Sequence, residues 1–141
     1  MAGFTFALIK PDAVHRKQVG EVITMIEQAG FTIQAMRLAQ LTPAIAGVLY
    51  KAHKGRSYYE PMCAFIASGP IVAMVLEKEN AVSEFDQLKD IIRQRFTTSR
   101  THNAIHGADT IEAARREIAL FFPACRGLSH GKNVFLGLAK S

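Results

Sequence analysis

Residues 71–77 read IVAMVLE, which is the most β-like run in the chain. A short run of β-branched and other apolar residues is typical of a buried strand. The three residues before it, SGP at 68–70, interrupt regular structure and separate this run from the helix that we predict ahead of it. We therefore predict that residues 71–77 form a central strand of a sheet.

Two further strands are predicted on the N-terminal side of this run. FTFALI at residues 4–9 is short, apolar and β-prone, and it stops at Lys10-Pro11-Asp12, which reads as a turn. FTIQAMRLAQL at 31–41 alternates in part between apolar and polar residues, as a half-buried strand does. Lys10 is therefore expected at the end of a strand.

Helices are predicted from apolar spacing and from capping residues. Apolar side chains recur at helical spacing from Val19 to Ile26, with Gly30 as the C-terminal cap. The other predicted helices run from Pro43 to about Ala52 after Thr42, from about Ser57 with Glu60 at capping-box spacing, from Asn80 through Leu88, and from Asp109 with Glu112 to Pro123. Residues 89–100, KDIIRQRFTTSR, show no clear period, so we predict no regular element there.

The order of these elements indicates the fold class. With one short strand ahead of the last helix, the order is strand, helix, strand, two helices, strand, helix, strand, helix. It favours an α+β protein with a ferredoxin-like βαββαβ sandwich, in which helices cover a mostly antiparallel four-stranded sheet. We expect residues 1–123 to form this domain and 124–141, with its three glycines, to be a C-terminal extension of the same single-domain chain.

Composition restricts the class of protein. The chain has 141 residues, of which 49% are apolar, and this is enough for one continuous core. No window approaches the roughly 18 consecutive apolar residues of a membrane span, and the first residues lack the features of a secretory signal. The two cysteines, Cys63 and Cys125, are too few for a disulfide framework and favour a reducing compartment. The formal charge of +5 favours partners that carry phosphate.

His106 lies within THNAIHGADT, residues 101–110, and the residues alone leave its role open. It is a packed or exposed structural histidine, a nucleophile, or a zinc ligand together with His102. The zinc pattern requires a glutamate directly after the first histidine, where Asn103 stands, and no further ligand cluster accompanies the pair. The sequence also has neither a GxxxxGK[ST] loop nor a GxGxxG turn, which argues against a kinase of the Walker type.

Three longer motifs carry more information, namely LIKPDAV at 8–14, HKGRSYYEPMCAFIASGPI at 53–71 and NAIHGADTIEAARREIALFFP at 103–123. Together they resemble the nucleoside diphosphate kinase family, and the resemblance extends up to Pro123. It implies a ferredoxin-like core and transfer of the terminal phosphate of a nucleoside triphosphate to a nucleoside diphosphate through a phosphohistidine, with ping-pong kinetics. It also implies Mg²⁺ bound to the nucleotide phosphates, with no ligand directly from the protein.

The resemblance also implies roles for individual residues. His106 matches the histidine that is phosphorylated, and Glu117 matches the carboxylate that orients its ring. The other matches are Lys10, which contacts phosphate and ribose, Arg93, which binds phosphate, Asn103, which contacts ribose, Tyr50, which lies near the histidine, and Tyr58, which stacks on the base. Without the resemblance, these positions read as a surface lysine, a solvated arginine, a helix-surface glutamate and two core tyrosines.

The sequence departs from the family pattern in two regions. Ala108 stands where the family usually has a serine that helps to hold the glutamate. Between Asn80 and Arg93 the family carries a longer loop with a phosphate-binding threonine, and Asp86 takes the place of another arginine of the phosphate site. The cations that we consider as replacements for the lost contacts are Lys89, Arg95 and Arg100.

Two other functions stay open from the sequence alone. The missing contacts favour, as the first alternative, a catalytically weak nucleotide-binding or regulatory protein of the same fold. The second alternative, a nucleic-acid-binding module, rests only on the basic balance and on the charge of residues 89–100.

The resemblance also predicts assembly and compartment. The longer loop supplies much of the trimer contact in hexameric members, so we expect a homo-oligomer that is a dimer rather than a hexamer. GRSYY at 55–59, FIASGPI at 65–71 and REIALFFP at 116–123 resemble a divergent eukaryotic branch that includes mitochondrial members. We therefore expect an intracellular protein, either cytoplasmic or mitochondrial.

Overall fold

Four strands form one antiparallel sheet within residues 2–123, the part of the chain that this computed structural model describes. The strands are β1 Ala2–Ile9, β2 Thr32–Gln40, β3 Pro70–Glu79 and β4 Ile105–Gly107, and their spatial order is β2-β3-β1-β4. Each pair of neighbours runs antiparallel. Because β3 has a neighbour on both sides, the prediction of a central strand at 71–77 is confirmed.

Six α-helices connect and cover the strands within the described residues. They are α1 Pro11–His15, α2 Val19–Gln28, α3 Pro43–Leu49, α4 Tyr59–Ile66, α5 Ala81–Phe96 and α6 Ile111–Phe121, and a short 3-10 helix spans Lys51–His53. With the antiparallel sheet they confirm the predicted ferredoxin-like α+β fold. None of the helices found between residues 2 and 123 has the length and apolar character of a membrane span. The predicted extension at 124–141 lies outside the described residues.

The largest difference from the predicted helices concerns α5, which continues to Phe96 instead of ending at Leu88. Its buried residues, Phe85, Leu88, Lys89, Ile92 and Phe96, recur at the spacing of one helical face. One of these buried positions is a lysine, and a charged residue inside the apolar stripe obscures the period in the sequence.

The predicted caps and ends of three other helices were also wrong. α6 is capped by Thr110, whose hydroxyl accepts a hydrogen bond from the Ala113 N–H, and not by Asp109. α4 begins at Tyr59 without any side-chain cap, so the capping box predicted from Ser57 does not form. α3 ends at Leu49, because the chain there tightens into the 3-10 helix.

The strand β1 supplies core residues to both faces of the sheet. Phe6 and Leu8 pack on one face with residues of α3, α4 and α6, whereas Ala7 and Ile9 pack on the other face with residues of α2 and α5. Alternate side chains of a strand point to opposite faces, so β1 connects two separate apolar clusters. This double burial keeps β1 rigid up to Ile9, directly before Lys10.

The edge strand β4 is only three residues long and is held from two sides. It pairs with β1 through Ala7 opposite Gly107, Leu8 opposite His106 and Ile9 opposite Ile105. From the side of α5, the Phe85 ring packs so closely that a Cβ at Gly107 would lie 2.8 Å from two of its carbon atoms. Only a glycine therefore allows α5 to approach β4 at this distance.

We predict that Gly107→Ala lowers the free energy of unfolding by about 1–3 kcal/mol, because the new methyl group must displace the Phe85 ring. Gly20→Ala is a matched control, since Gly20 lies in α2 with nothing within 4 Å of its Cβ position. That control should raise the free energy of unfolding by about 0.5–1 kcal/mol through helix propensity. Urea denaturation measures both, and a Gly107→Ala chain as stable as the unmodified one would contradict this packing.

Candidate active site

His106 occupies the middle of β4 and lies at the wall of the site instead of inside the core. Its neighbours Ile105 and Gly107 are buried on the α5 side, so the alternation of the strand turns the imidazole to the other face. The ring meets Phe6 and Tyr50 edge-on, with centroid distances of 6.0 and 5.7 Å. Its side chain is 13% exposed, which leaves one part of the ring open to solvent.

Glu117 fixes the orientation of this ring. Its Oε1 lies 2.7 Å from Nε2 of His106, and its side chain is almost fully buried on α6. An ionised carboxylate only accepts hydrogen bonds, so a hydrogen bond from the ring to ionised Glu117 requires the hydrogen of the imidazole to be on Nε2. The contact forms although Ala108 offers no hydroxyl to Glu117. Ala108 instead packs in a small apolar cluster with Ala113 and Ala114.

Lys10 is buried at the end of β1, which excludes the interpretation as a surface lysine. Its ammonium group donates to Oδ1 of Asn103 at 2.7 Å and approaches the carbonyl oxygen of Thr101 at 3.4 Å. Burial, together with the charges of Arg93 and Lys89, lowers the pKa of Lys10 to about 8, although the charge of Asp12 opposes this lowering. The site thus holds a cation that is poorly compensated inside the protein.

Arg93 lies on α5 and reaches over the open edge of β4. Its Nε and Nη2 donate to the carbonyl oxygen of Ile105, at 3.1 and 2.9 Å, directly before His106. Burial lowers the pKa of its guanidinium from the usual value. The arginine is therefore a fixed charge beside the histidine and not a solvated side chain, and no hydrogen bond of Nη1 is found within residues 2–123.

The two predicted tyrosines lie in different surroundings. Tyr50 is buried beside His106, its hydroxyl has no hydrogen-bond partner among residues 2–123, and burial raises its pKa well above the usual range, against the charge of Arg93. Tyr58 is 37% exposed at the start of α4, so it is not a core residue. Its hydroxyl lies 2.9 Å from Nδ1 of His53, whose ring in turn meets Tyr50 edge-on. His53 was missed by the sequence analysis, because nothing in HKGR distinguishes it.

Asp12 is a second residue that the sequence analysis missed. It is buried, and its Oδ2 accepts a hydrogen bond from the N–H of Ala104 at 3.0 Å, across 92 residues of sequence. Ala104 has a φ of 73°, a backbone conformation that residues other than glycine rarely adopt. Its carbonyl oxygen also accepts a hydrogen bond from the N–H of Lys10. Asp12 and Lys10 thus hold the turn between Asn103 and β4. The position of Asp12 directly after Pro11, in the motif LIKPDAV, was the sequence signal that could have identified this residue.

The alternative of a zinc site at His102 and His106 finds no geometric support in the described part of the chain. His102 stacks on Phe65, with a centroid distance of 4.0 Å, and its Nδ1 lies 3.0 Å from the hydroxyls of Ser99 and Thr101. Residues 2–123 contain no group of three or more His, Cys, Asp or Glu side chains arranged to hold a metal ion.

Comparisons with known proteins identify the family of the chain. A family model described as nucleoside diphosphate kinase matches residues 4–126. A nucleoside diphosphate kinase of Cutibacterium acnes is 43% identical over 129 aligned positions, covering 84% of this chain and 94% of that protein. One of Chlorobaculum tepidum is 42% identical over 130 positions, covering 85% and 93%. The crystal structure of the Aquifex aeolicus nucleoside diphosphate kinase has a TM-score of 0.80 at 32% identity, covering 86% of this chain and 96% of that one.

The alignments also bear on the missing loop. Of 141 residues, 84% is about 118, roughly ten fewer than the 129 positions aligned with the Cutibacterium acnes protein. Relatives therefore carry residues without a counterpart here, which agrees with the loop predicted to be missing between Asn80 and Arg93, where this chain forms the continuous helix α5. These relatives are bacterial, so the resemblance to a eukaryotic branch and the compartment stay predictions. With residues 4–126 matched and relatives at 42% and 43% identity over most of both chains, the chain belongs to the nucleoside diphosphate kinase family and is a nucleotide phosphotransferase.

Proposed function

We propose that this chain moves the terminal phosphate of a nucleoside triphosphate to a nucleoside diphosphate through a phosphohistidine at His106. The observation that carries the proposal is the 2.7 Å contact between Nε2 of His106 and Oε1 of Glu117. It leaves Nδ1 as the one ring nitrogen with a lone pair, and a neutral imidazole is nucleophilic near neutral pH.

The reaction then takes place in two balanced steps. In the first, Nδ1 attacks the terminal phosphorus, the N–P bond forms, and the P–O bond to the neighbouring phosphate breaks as the nucleoside diphosphate leaves with its electron pair. Glu117 stabilises the positive charge that the ring acquires, since it already accepts the Nε2 hydrogen. In the second step, a terminal oxygen of another nucleoside diphosphate attacks the same phosphorus, and the N–P electron pair returns to Nδ1. One product leaves before the second substrate binds, which gives ping-pong kinetics.

The surrounding side chains bind the nucleotide. Lys10 and Arg93 neutralise the phosphate oxygens, and phosphoryl transfer depends mostly on such charge and on alignment. Asn103 is held by Lys10 at a position to contact ribose, Tyr50 closes the site behind the ring of His106, and the exposed Tyr58 offers a face for the base. Stacking on an aromatic ring accepts every base, since each base has a π-face.

Mg²⁺ fits this site only as a companion of the nucleotide. The carboxylates nearest the histidine already have partners, Glu117 the imidazole and Asp109 an ammonium group, so the cation would be held by phosphate oxygens. Bound in this way, it neutralises charge on the phosphates.

We predict that γ-labelled triphosphate transfers label to the unmodified chain, and that the label is acid-labile and alkali-stable, as for a phosphohistidine. His106→Ala should carry none. His15→Ala is the control, since His15 ends α1 at the surface and should label normally. Glu117→Gln should label at least about tenfold more slowly, because the ring loses its fixed tautomer.

Label that persists in His106→Ala would reject the proposed nucleophile. A chain that binds nucleotide but takes up no label would favour the alternative of a catalytically weak nucleotide-binding or regulatory protein. The nucleic-acid alternative would instead require single-strand binding with a steep salt dependence.

The pKa of Lys10 predicts the pH dependence of nucleotide binding. The protonated ammonium attracts phosphate, and its pKa is lowered to about 8, so the dissociation constant for ADP should rise above pH 8. The rise should approach, at most, about tenfold per pH unit. Lys10→Ala should bind about 10- to 100-fold more weakly at pH 7 and lose this dependence. Titration with ADP from pH 7 to 9 measures both, and a flat profile for the unmodified chain would contradict the assignment.

We also propose a dimer rather than a hexamer. Between Asn80 and β4 the chain forms the continuous helix α5 and the short connection 97–104, so it has no long loop there for contacts around a three-fold axis. The edge strand β2, in contrast, exposes Met36 and Leu38, which are 48% and 68% exposed and suited to an isologous contact. Light scattering should give the mass of two chains, and the mass of six would reject the proposal.

A further inference from the structure

One face of α5 contacts the chain on both sides of His106. Phe85, Lys89 and Arg93 are spaced four residues apart and therefore share this face. Arg93 binds the carbonyl oxygen of Ile105, ahead of the histidine, while Phe85 packs on Gly107, directly after it. Lys89, between these two, has no role in the function proposed above.

Lys89 is a buried lysine with an anchored charge. Its stem covers Gly107, whose Cβ position lies 3.4 Å from Cδ of the lysine, and its side chain is 9% exposed. Its Nζ lies 3.0 Å from Oδ1 of Asp86 and 3.0 Å from Oδ1 of Asp109. The two carboxylates are 52% and 73% exposed, so the ammonium group sits where the buried stem meets the surface.

The charge of Lys89 acts on the same groups as the cations of the candidate site. It contributes to the lowered pKa of Lys10, as Arg93 does. Desolvation raises the pKa of Asp109, but the hydrogen bond and charge of Lys89, with the charge of Arg93, lower it more, and the net pKa lies below its usual value. Lys89 thus belongs to one electrostatic cluster with the histidine.

The two other replacement cations considered from the sequence are placed differently. Arg95 is exposed and pairs with Glu21 of α2, at 2.9 Å from Nη2 to Oε2. For Arg100, the structure gives only a contact of its carbonyl oxygen, which accepts from Nδ2 of Asn103. Lys89 alone among the three is fixed beside the segment that follows His106.

We propose that Lys89 is a third phosphate-contacting residue of this site, held by Asp86 and Asp109 until the outer phosphates of a nucleotide take their place. This inference rests on the proposed function, because it requires a nucleotide whose phosphates reach His106. An ammonium group has three N–H donors, and the two carboxylates occupy two of them. Exposed ion pairs are weak, so a phosphate group with more than one charge displaces them readily. Asp86 then acts as a competitor for Lys89.

The dissociation constant for ADP tests the proposal in a double-mutant cycle. Lys89→Met keeps the buried stem without the charge and should raise the constant about 10- to 100-fold. Asp86→Asn should lower it about two- to fivefold in the unmodified chain, because Lys89 is released from a competitor. The same Asp86→Asn change should have no effect in the Lys89→Met background. Lys89→Arg, which restores a cation, should recover part of the affinity.

An ion pair between a lysine of β3 and a glutamate of α5 provides the matched control. Lys78 and Glu84 form an ion pair of 2.9 Å between β3 and the first turn of α5, and Lys78 lies opposite Gly3, at the end of β1 remote from Lys10. Lys78→Met and Glu84→Gln should leave the constant for ADP unchanged. Should Lys89→Met fail to fold, Lys89→Gln takes its place, since it keeps hydrogen-bond donors without the charge.

Two results would overturn the proposal. The first is an unchanged dissociation constant in Lys89→Met or Lys89→Gln. The second is an effect of Asp86→Asn that persists in the Lys89→Met background, since Asp86 would then act by simple repulsion of phosphate. Labelling of His106 distinguishes a failure of the role proposed for Lys89 from a failure of the proposed function. A labelled chain with normal ADP binding in Lys89→Met rejects the role of Lys89 alone, whereas an unlabelled unmodified chain rejects the proposed function.

Discussion

The proposed function depends on one contact, the 2.7 Å approach of Nε2 of His106 to Oε1 of Glu117, because this contact assigns the reaction to Nδ1. The bond depends on two separate features of the fold. The pairing of β4 with β1 places the histidine opposite Leu8, and the Thr110 cap fixes where α6 begins and therefore where Glu117 lies. Neither β4, which has three residues, nor α6 holds this geometry alone.

The second property of the site is positive charge gathered in a buried place. Lys10, Arg93 and Lys89 approach the histidine segment from β1 and from α5, and burial disfavours the charged forms of Lys10 and Arg93. Asp12 opposes the lowering of the Lys10 pKa, and Asp86 and Asp109 hold Lys89. Such a cluster is costly in the free protein and favourable when an anionic substrate arrives, which is how preorganised charge acts on phosphoryl groups. In the proposed function, this positive charge is therefore in place before a nucleotide binds.

Local patterns in the sequence predicted much of the fold and little of the site. The run at 71–77 and the helix from Val19 follow from periodicity and capping, because these signals are short-range. The extension of α5 to Phe96 was missed, since a buried lysine in an apolar stripe contradicts the pattern and is explained only by carboxylates outside that stripe. The sequence also predicted Asp109 as the cap of α6, where the structure has Thr110. The carboxylate of Asp109 accepts a hydrogen bond from Nζ of Lys89, and a local pattern does not show this contact with α5.

Contacts between distant residues could not be read from local pattern at all. Lys10 and Asn103 meet across 93 residues, and Asp12 reaches Ala104 across 92. The family resemblance supplied the identities of Lys10, Arg93, Asn103, Tyr50, Tyr58, His106 and Glu117, whereas the roles of Asp12, His53 and Lys89 required coordinates. Asp12 lies in the motif LIKPDAV and Lys89 is one of the three replacement cations considered from the sequence, but the contacts of all three residues depend on how the chain folds.

The central claim is that Glu117 holds the hydrogen of His106 on Nε2 and leaves Nδ1 bare. The most direct measurement is the ring tautomer of His106 in the nucleotide-free chain, obtained at mildly alkaline pH from ¹⁵N NMR couplings between the ring nitrogens and the carbon-bound ring protons. The account predicts a hydrogen on Nε2 and an unprotonated Nδ1. A hydrogen on Nδ1 with a bare Nε2 would contradict it.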